Sequence, residues 1–85
     1  MALYFLSYDL RKARDYEKLY EQLDDFSAVQ VLESVWCFKR FNTSASALRD
    51  YFEGYIDKDD GLCVVEVGSN NWATYNTNGT PANLE

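Results

Sequence analysis

The sequence predicts an α+β domain of the ferredoxin-like class, a sandwich whose elements follow the order β-α-β-β-α-β. Two observations lead to this prediction. Runs of apolar, β-branched and aromatic residues alternate with two segments in which apolar residues recur every three or four positions. The first run is also apolar on both of its alternating faces, which is typical of a strand covered from both sides. We therefore expect two helices on one face of the sheet and a different cover on the other.

The first strand is predicted for residues 2–10, which contain neither Gly nor Pro. Alternate side chains of a strand point to opposite faces. One face holds Tyr4, Leu6 and Tyr8, and the other holds Leu3, Phe5, Ser7 and Asp9. Because the helices cover only one face, a second copy of the chain is the simplest cover for the other, with Leu3, Phe5 and Ser7 as candidate dimer-face residues. The high aromatic content of 16% favours such shared burial.

The next elements follow from periodicity and capping residues. An apolar stripe at helical spacing predicts the first helix and consists of Tyr16, Leu19, Tyr20, Leu23 and Phe26. Residues 29–41 exceed the usual strand length of about 5–6 residues. They form either two strands that meet near Glu33–Ser34 or one long strand bent there. The second helix has Ser44 or Ser46 as its N-cap. Its inward stripe consists of Leu48, Tyr51, Phe52, Tyr55 and Ile56.

The C-terminal third begins with a strand predicted for residues 62–67, and residues 72–75 suit a short additional edge strand. We expect a single domain that spans residues 1–75. A polar, loosely ordered tail of residues 76–85 follows it, and residues 84–85 are consistent with a cloning remnant.

The charge distribution limits where a polyanion could bind. The net charge of -6 argues against a protein coated with basic residues. Residues 1–41 carry six basic and seven acidic residues, whereas residues 42–85 carry two basic and seven acidic residues. Any contact with phosphate groups is therefore expected in the first half of the chain.

Histidine is absent, and the two cysteines, Cys37 and Cys63, lack the CxxC spacing of a zinc site. Both lie in apolar, strand-like runs, which predicts buried free thiols in a reducing compartment. The sequence shows neither the apolar h-region of a signal peptide nor an apolar run of about 18 residues. We therefore expect a soluble, cytoplasmic protein with no membrane segment.

Asp9 is the principal candidate for a functional residue, because it ends an apolar strand and is followed closely by Arg11 and Arg14. A carboxylate at this position can cap the next helix, pair with an arginine, or hold a hard divalent cation. The residues alone leave these three roles open. The acidic stretch of residues 57–60 lacks the ligand spacing of a calcium loop and predicts a solvated turn.

Several short motifs occur in an order that is known from one protein family. They are Ser7-Tyr8-Asp9-Leu10, Ser34-Val35-Trp36, Leu48-Arg49-Asp50-Tyr51-Phe52, Ile56-Asp57 and Asp60-Gly61-Leu62. Over residues 2–67 the sequence thereby resembles the second CRISPR-associated protein family, Cas2. That family has a ferredoxin-like fold, and the virulence-associated protein D toxins look like its relatives.

The resemblance implies a homodimer whose two sheets meet, with Asp9 of each chain near the dimer axis. In the family this Asp can ligate a divalent metal for phosphodiester hydrolysis. Mg²⁺ or Mn²⁺ held by Asp9 would make the protein a nuclease that acts on RNA or DNA. The residues that could then position the phosphate are Tyr8, Arg11, Arg14 and Ser34.

The alternative is a non-catalytic homodimer that bridges macromolecules, because many members of the family act structurally. A protein partner would then be recruited by strand addition at an exposed edge near Val67 or Trp72. The acidic composition departs from the basic surface that DNA-holding members present, and the Asn-rich tail has no evident partner-binding strand. Both departures favour a stand-alone Cas2-like protein over a role in spacer acquisition.

Overall fold

Strand β1, Ala2–Asp9, lies in the middle of a four-stranded antiparallel sheet in the computed structural model of the chain, which describes residues 1–11, 16–68 and 71–84. The other elements are α1 Glu17–Asp25, β2 Val29–Leu32, β3 Val35–Arg40, α2 Ala45–Glu53 and β4 Gly61–Val67. The strand order is β2-β3-β1-β4, and every neighbouring pair is antiparallel. This arrangement confirms the predicted ferredoxin-like α+β fold.

The helices pack on one face of the sheet through residues that the apolar spacing predicts. Leu19 and Leu23 of α1 and Leu48 and Phe52 of α2 are buried. The strand residues of the same cluster are Tyr4, Leu6, Tyr8, Trp36 and Phe38. Burying each of these large side chains stabilises the fold by about 1.5–3 kcal/mol. Tyr51 lies at the rim instead, where it is 43% exposed.

The two boundaries that the sequence left open are settled by local structure. Residues 29–40 form two strands rather than one, and the chain reverses at Glu33–Ser34 between β2 and β3. A register shift interrupts the pairing between Gln30 and Leu32. Helix α2 begins after Ser44, whose hydroxyl oxygen accepts a hydrogen bond from the backbone N–H of Ala47 at 3.1 Å. Ser44 is therefore the N-cap.

The sheet face opposite the helices, called the open face below, is partly covered by the C-terminal segment of the chain. Leu3, Val31 and Cys37 form a second apolar cluster on this face, and Trp72 and Leu84 pack against it. Residues 72–75 do not form the additional edge strand that the sequence suggested. Within the predicted tail, residues 81–84 form a 3-10 helix that contacts β2 and β3. Burial of Trp72 and Leu84 on an otherwise exposed apolar surface explains this placement.

Both cysteines are free, as predicted, but the prediction that both are buried is wrong for Cys63. Cys37 is 0% exposed in the central strand β3. Cys63 is exposed because β4 is the outer strand and this residue lies opposite Ser7 on the open face. Within the part of the chain that the structure describes, no helix has the length and apolar character needed to cross a membrane.

Candidate functional site

Asp9 is the last residue of β1 and presents its carboxylate to solvent at one end of the sheet. Its side chain is 70% exposed. The antiparallel register places it directly opposite Gly61, the first residue of β4. Helix α1 begins at Glu17 with Tyr16 as its N-cap residue, so that Asp9 does not cap the helix. The ion pair with Arg11 is one of the three roles that the sequence left open.

Arg11 is the ion-pair partner of Asp9, and several contacts fix its position. Its Nε atom donates a hydrogen bond to Oδ2 of Asp9 at 3.1 Å. Its backbone N–H donates to Oδ1 of Asp60 at 2.7 Å, and Nη1 lies 3.4 Å from the backbone oxygen of Asp59. The guanidinium group therefore ties the end of β1 to the turn that precedes β4.

Gly61 provides the space for this guanidinium group. A Cβ atom at position 61 would lie 2.9 Å from Nη2 of Arg11, which is closer than real Cβ contacts come. Asp60 holds the turn through its second oxygen, since Oδ2 accepts a hydrogen bond from the backbone N–H of Asp57 at 2.8 Å. Residues 57–59 are exposed, as expected of the predicted solvated turn, and Asp60 and Gly61 join this turn to Arg11.

A small cleft of about 230 Å³ opens beside Asp9. Its lining residues are Tyr8, Asp9, Leu10, Tyr16, Glu33 and Ser34. The cleft lies where the end of β1 meets the β2–β3 turn, because the backbone N–H of Tyr8 donates to the carbonyl oxygen of Ser34 at 3.1 Å. Three of the predicted site residues, Tyr8, Asp9 and Ser34, are therefore brought together here.

The hydroxyl of Tyr8 is occupied by contacts within the fold. It donates to the carbonyl oxygen of Glu33 at 2.9 Å and lies 2.8 Å from the hydroxyl of Tyr20. Because its single hydrogen goes to Glu33, Tyr20 must be the donor in the second contact. Burial, together with the bond to Tyr20, raises the pKa of Tyr8 well above its ordinary value. Tyr8 is therefore neutral at physiological pH and holds the β2–β3 turn in place.

The remaining predicted residues lie in different surroundings. Arg14 lies outside the described residues. Of the candidate dimer-face residues, Leu3 is buried in the apolar cluster against which Trp72 and Leu84 pack, Phe5 is half-buried and Ser7 is exposed.

Asp60 and Gly61 also belong to this site, although sequence patterns indicated them only as part of a turn and of a family motif. The signal that could have found them is strand register. If β4 is paired antiparallel to β1 with their ends aligned, Gly61 falls opposite Asp9. A glycine opposite a charged strand end is typical of a place where another group approaches closely.

A family model described as CRISPR associated protein Cas2 matches residues 1–75 of the 85 residues. The small ferredoxin-like fold and the acidic residue at the end of β1 are the features that the sequence motifs implied for that family. The chain belongs to the Cas2 family of CRISPR-associated proteins. No solved structure matches it.

The residues at this site can contribute only part of a metal centre from one chain. Among residues 1–11, 16–68 and 71–84, no group of three or more acidic, cysteine or histidine side chains is placed to hold a metal ion. Asp9 offers hard carboxylate oxygens that are 70% exposed. Mg²⁺ in phosphate-binding sites typically uses one or two carboxylates together with water and phosphate oxygens. Asp9 fits as one ligand of such a site, in competition with Arg11.

Proposed function

We propose that this Cas2 family protein is a homodimer that bridges macromolecular partners, with the open faces of the two sheets in contact. The exposed apolar part of that face carries the proposal. Val65 is 50% exposed and lies opposite the half-buried Phe5 in register. Neighbouring positions in the same register, Ser7 and Cys63, are also exposed and uncharged.

A homodimer suits this surface because the rest of the molecule repels its own copies. Each chain has a net charge of -6. Two such chains associate best through an uncharged patch, which a two-fold axis would place against itself. The outer edge of β4 would stay available at the side of the dimer, and an extended segment of a partner protein could pair with it near Val67.

The substitution Phe5→Asp tests the dimer, because it places a charge within the shared apolar surface. Sedimentation velocity should show the wild type as a dimer at micromolar concentration and Phe5→Asp as a monomer. The matched control is Tyr75→Asp, an aromatic-to-Asp change at a side chain that is 91% exposed and belongs to neither apolar cluster. A Phe5→Asp protein that folds, as judged by circular dichroism, and still forms the dimer would contradict the proposal.

A second candidate function is metal-dependent phosphodiester hydrolysis. It is favoured by the exposure of Asp9 at the end of the same strand that carries Phe5 and Ser7. If the open faces meet about a two-fold axis, the two Asp9 carboxylates come near that axis and together hold one Mg²⁺ or Mn²⁺. The metal would supply Lewis-acid activation of the phosphodiester. Arg11, when released from Asp9 by the cation, would bind a phosphate oxygen, and Ser34 lines the cleft beside Asp9.

A further inference from the structure

The guanidinium group of Arg11 lies between the Asp9 carboxylate and the turn formed by residues 57–61, called the β4 turn below. Its Nε atom donates to Oδ2 of Asp9 at 3.1 Å, and Nη1 donates to the backbone oxygen of Asp59 at 3.4 Å. The two bonds use different nitrogen atoms of one rigid, planar group. The contact with the β4 turn therefore also fixes which edge of the guanidinium faces Asp9.

Asp60 fixes the backbone from which this side chain extends. Its Oδ1 atom accepts a hydrogen bond from the backbone N–H of Arg11 at 2.7 Å. Its Oδ2 atom accepts one from the backbone N–H of Asp57 at 2.8 Å. One carboxylate thus joins the residue that follows β1 to the first residue of the β4 turn. Because neither bond uses the guanidinium, Asp60 holds Arg11 in place whatever its side chain contacts.

Gly61 leaves the space that the guanidinium occupies. A Cβ atom at this position would lie 2.9 Å from Nη2 and 3.5 Å from Cζ of Arg11, but 3.8 Å from Cβ of Asp9. The distance to Asp9 is an ordinary van der Waals contact, whereas the distance to Nη2 requires one of the two groups to move. The end of a flexible arginine side chain moves more easily than the backbone of β4. A methyl group at position 61 would therefore displace the guanidinium and leave Asp9 where it is.

The ion pair competes with any metal ion that binds Asp9. Both side chains are mostly exposed, and the contribution of an exposed pair corresponds to a factor of at most about five in an equilibrium constant. A cation that takes the Oδ2 atom of Asp9 must first break the bond from Nε of Arg11. The metal affinity of Asp9 is then reduced by the fraction of molecules in which the pair is formed.

We propose that Asp60 and Gly61 are positioning residues that act through Arg11 and set the affinity of Asp9 for a divalent cation. The inference rests on metal binding by Asp9 in the second candidate function. It adds to that function an intramolecular competitor and the two residues that hold it. The bond from the Arg11 backbone to Asp60 persists when the cation replaces the guanidinium, so that the released side chain stays at the site.

Binding of Mn²⁺ alone tests this inference without a substrate. The full chain is titrated in phosphate-free buffer, and bound Mn²⁺ is measured by the loss of the electron paramagnetic resonance signal of the free hydrated ion. Arg11→Gln removes the competitor and should tighten Mn²⁺ binding by up to about fivefold. Arg49→Gln is the matched control, because it removes the same charge from an exposed arginine that pairs with Asp50 instead. It should leave the affinity unchanged.

Gly61→Ala tests the position of the guanidinium separately from its charge, since the charge of the chain stays the same. This variant should also tighten Mn²⁺ binding, and it should add nothing to the gain when combined with Arg11→Gln. Gly68→Ala is its control, because a Cβ at that position has no heavy atom within 4 Å. Damage to the local structure alone would weaken Mn²⁺ binding rather than tighten it.

Asp60 is tested through its coupling to Arg11, because its own charge also affects the binding of a cation. In an Asp60→Ala background, Arg11→Gln should give a smaller gain in Mn²⁺ affinity than it gives in the wild type. The guanidinium is then no longer held beside Asp9, and its removal changes less. An equal gain in both backgrounds would exclude Asp60 as a positioning residue.

Asp9→Asn should abolish the Mn²⁺ binding that these variants change. If binding needs Asp9 but is equal in the wild type, Arg11→Gln and Gly61→Ala, the inference is overturned and the metal-site function stands. Weaker binding by a folded Gly61→Ala protein would also overturn it. If no Asp9-dependent binding is found even in Arg11→Gln, the metal-site function fails and the inference fails with it. Binding that is detected only after Arg11→Gln supports both.

Discussion

At the scale of single residues, the cation that pairs with the Asp9 carboxylate decides which candidate function is available. Its ion pair with Arg11 is exposed, with the two side chains 70% and 60% accessible. Exposed pairs of this kind contribute about 0–1 kcal/mol. A divalent cation that gains a second carboxylate and phosphate oxygens can therefore displace the guanidinium at little cost. If a metal ion binds as proposed, it would replace Arg11 as the cation beside Asp9.

Asp9→Asn should abolish any Mg²⁺- or Mn²⁺-dependent cleavage of RNA or DNA and leave the dimer intact. Mutation of a residue that only orients a metal ligand commonly lowers metal affinity or activity by about tenfold to a hundredfold, and loss of the ligand itself should cost at least as much. The unfolding free energy should change by less than about 1 kcal/mol, since the ion pair is exposed. The measurement is cleavage by wild type and variant with metal and with EDTA. Equal activity in both proteins, or activity that EDTA leaves unchanged, would exclude the metal-site function.

The thiol of Cys37 makes a predictable contribution to the pH dependence of stability. Burial raises its pKa from an ordinary value of 9.0 to about 11. The unfolded thiol therefore ionises at a lower pH than the folded one, and the unfolded state binds fewer protons above pH 9. The contribution of this thiol to the unfolding free energy is fully present below pH 9 and is lost as the pH rises from 9 to 11.

Urea unfolding at a series of pH values under reducing conditions tests this effect. Tyrosines also ionise at alkaline pH, so the comparison is between wild type and Cys37→Ala. The unfolding free energy of the wild type should fall more steeply between pH 9 and pH 11 than that of the variant. Equal slopes for the two proteins would contradict the assigned cause.

At the scale of elements, the N-cap of α2 is the feature that a single substitution tests most simply. Ser44→Ala removes the acceptor for the Ala47 N–H and should lower the unfolding free energy by about 1 kcal/mol. Ser46→Ala is the control, because its hydroxyl contacts the Ser44 hydroxyl at 3.2 Å and does not itself cap the helix. Thermal or urea unfolding of the two variants measures the difference. A larger loss for Ser46→Ala would reverse the assignment of the cap.

Most elements were predictable because their apolar spacing reflects local geometry. The stripe from Leu19 to Leu23 and the alternation along β1 follow directly from helix and strand periodicity. The exposure of Cys63 was not predictable, since periodicity gives its face but not the position of β4 at the sheet edge. The contact of Asp60 with Arg11 was not predictable for a related reason, because it joins residues 49 positions apart.

The C-terminal segment shows a further limit of sequence patterns. Its composition is polar and turn-forming, which is typical of a loosely ordered tail. Two widely separated apolar residues, Trp72 and Leu84, nevertheless place it on the open face. Neither periodicity nor composition detects two such isolated contacts. Gly79 marks the point of close approach, since a Cβ atom there would lie 2.6 Å from Cγ1 of Val29 in β2, but a single glycine in a polar segment is equally typical of an ordinary solvent-exposed turn.

At the scale of the whole molecule, a small acidic chain must bury a sheet that is apolar on both faces. The helices cover one face, and the C-terminal segment covers part of the other. What remains is an uncharged surface around Phe5 and Val65 on a molecule that otherwise repels its copies. The proposed homodimer would cover this remaining surface, and both candidate functions depend on that dimer.

Light scattering coupled to size-exclusion chromatography of the full chain at micromolar concentration tests the homodimer most directly. The chain has a mass of 9.9 kDa. The dimer predicts a scattering mass of about twice that value, which should fall towards the mass of one chain on dilution below the dissociation constant. A mass equal to one chain at every concentration up to the solubility limit would contradict the proposed dimer and both functions built on it.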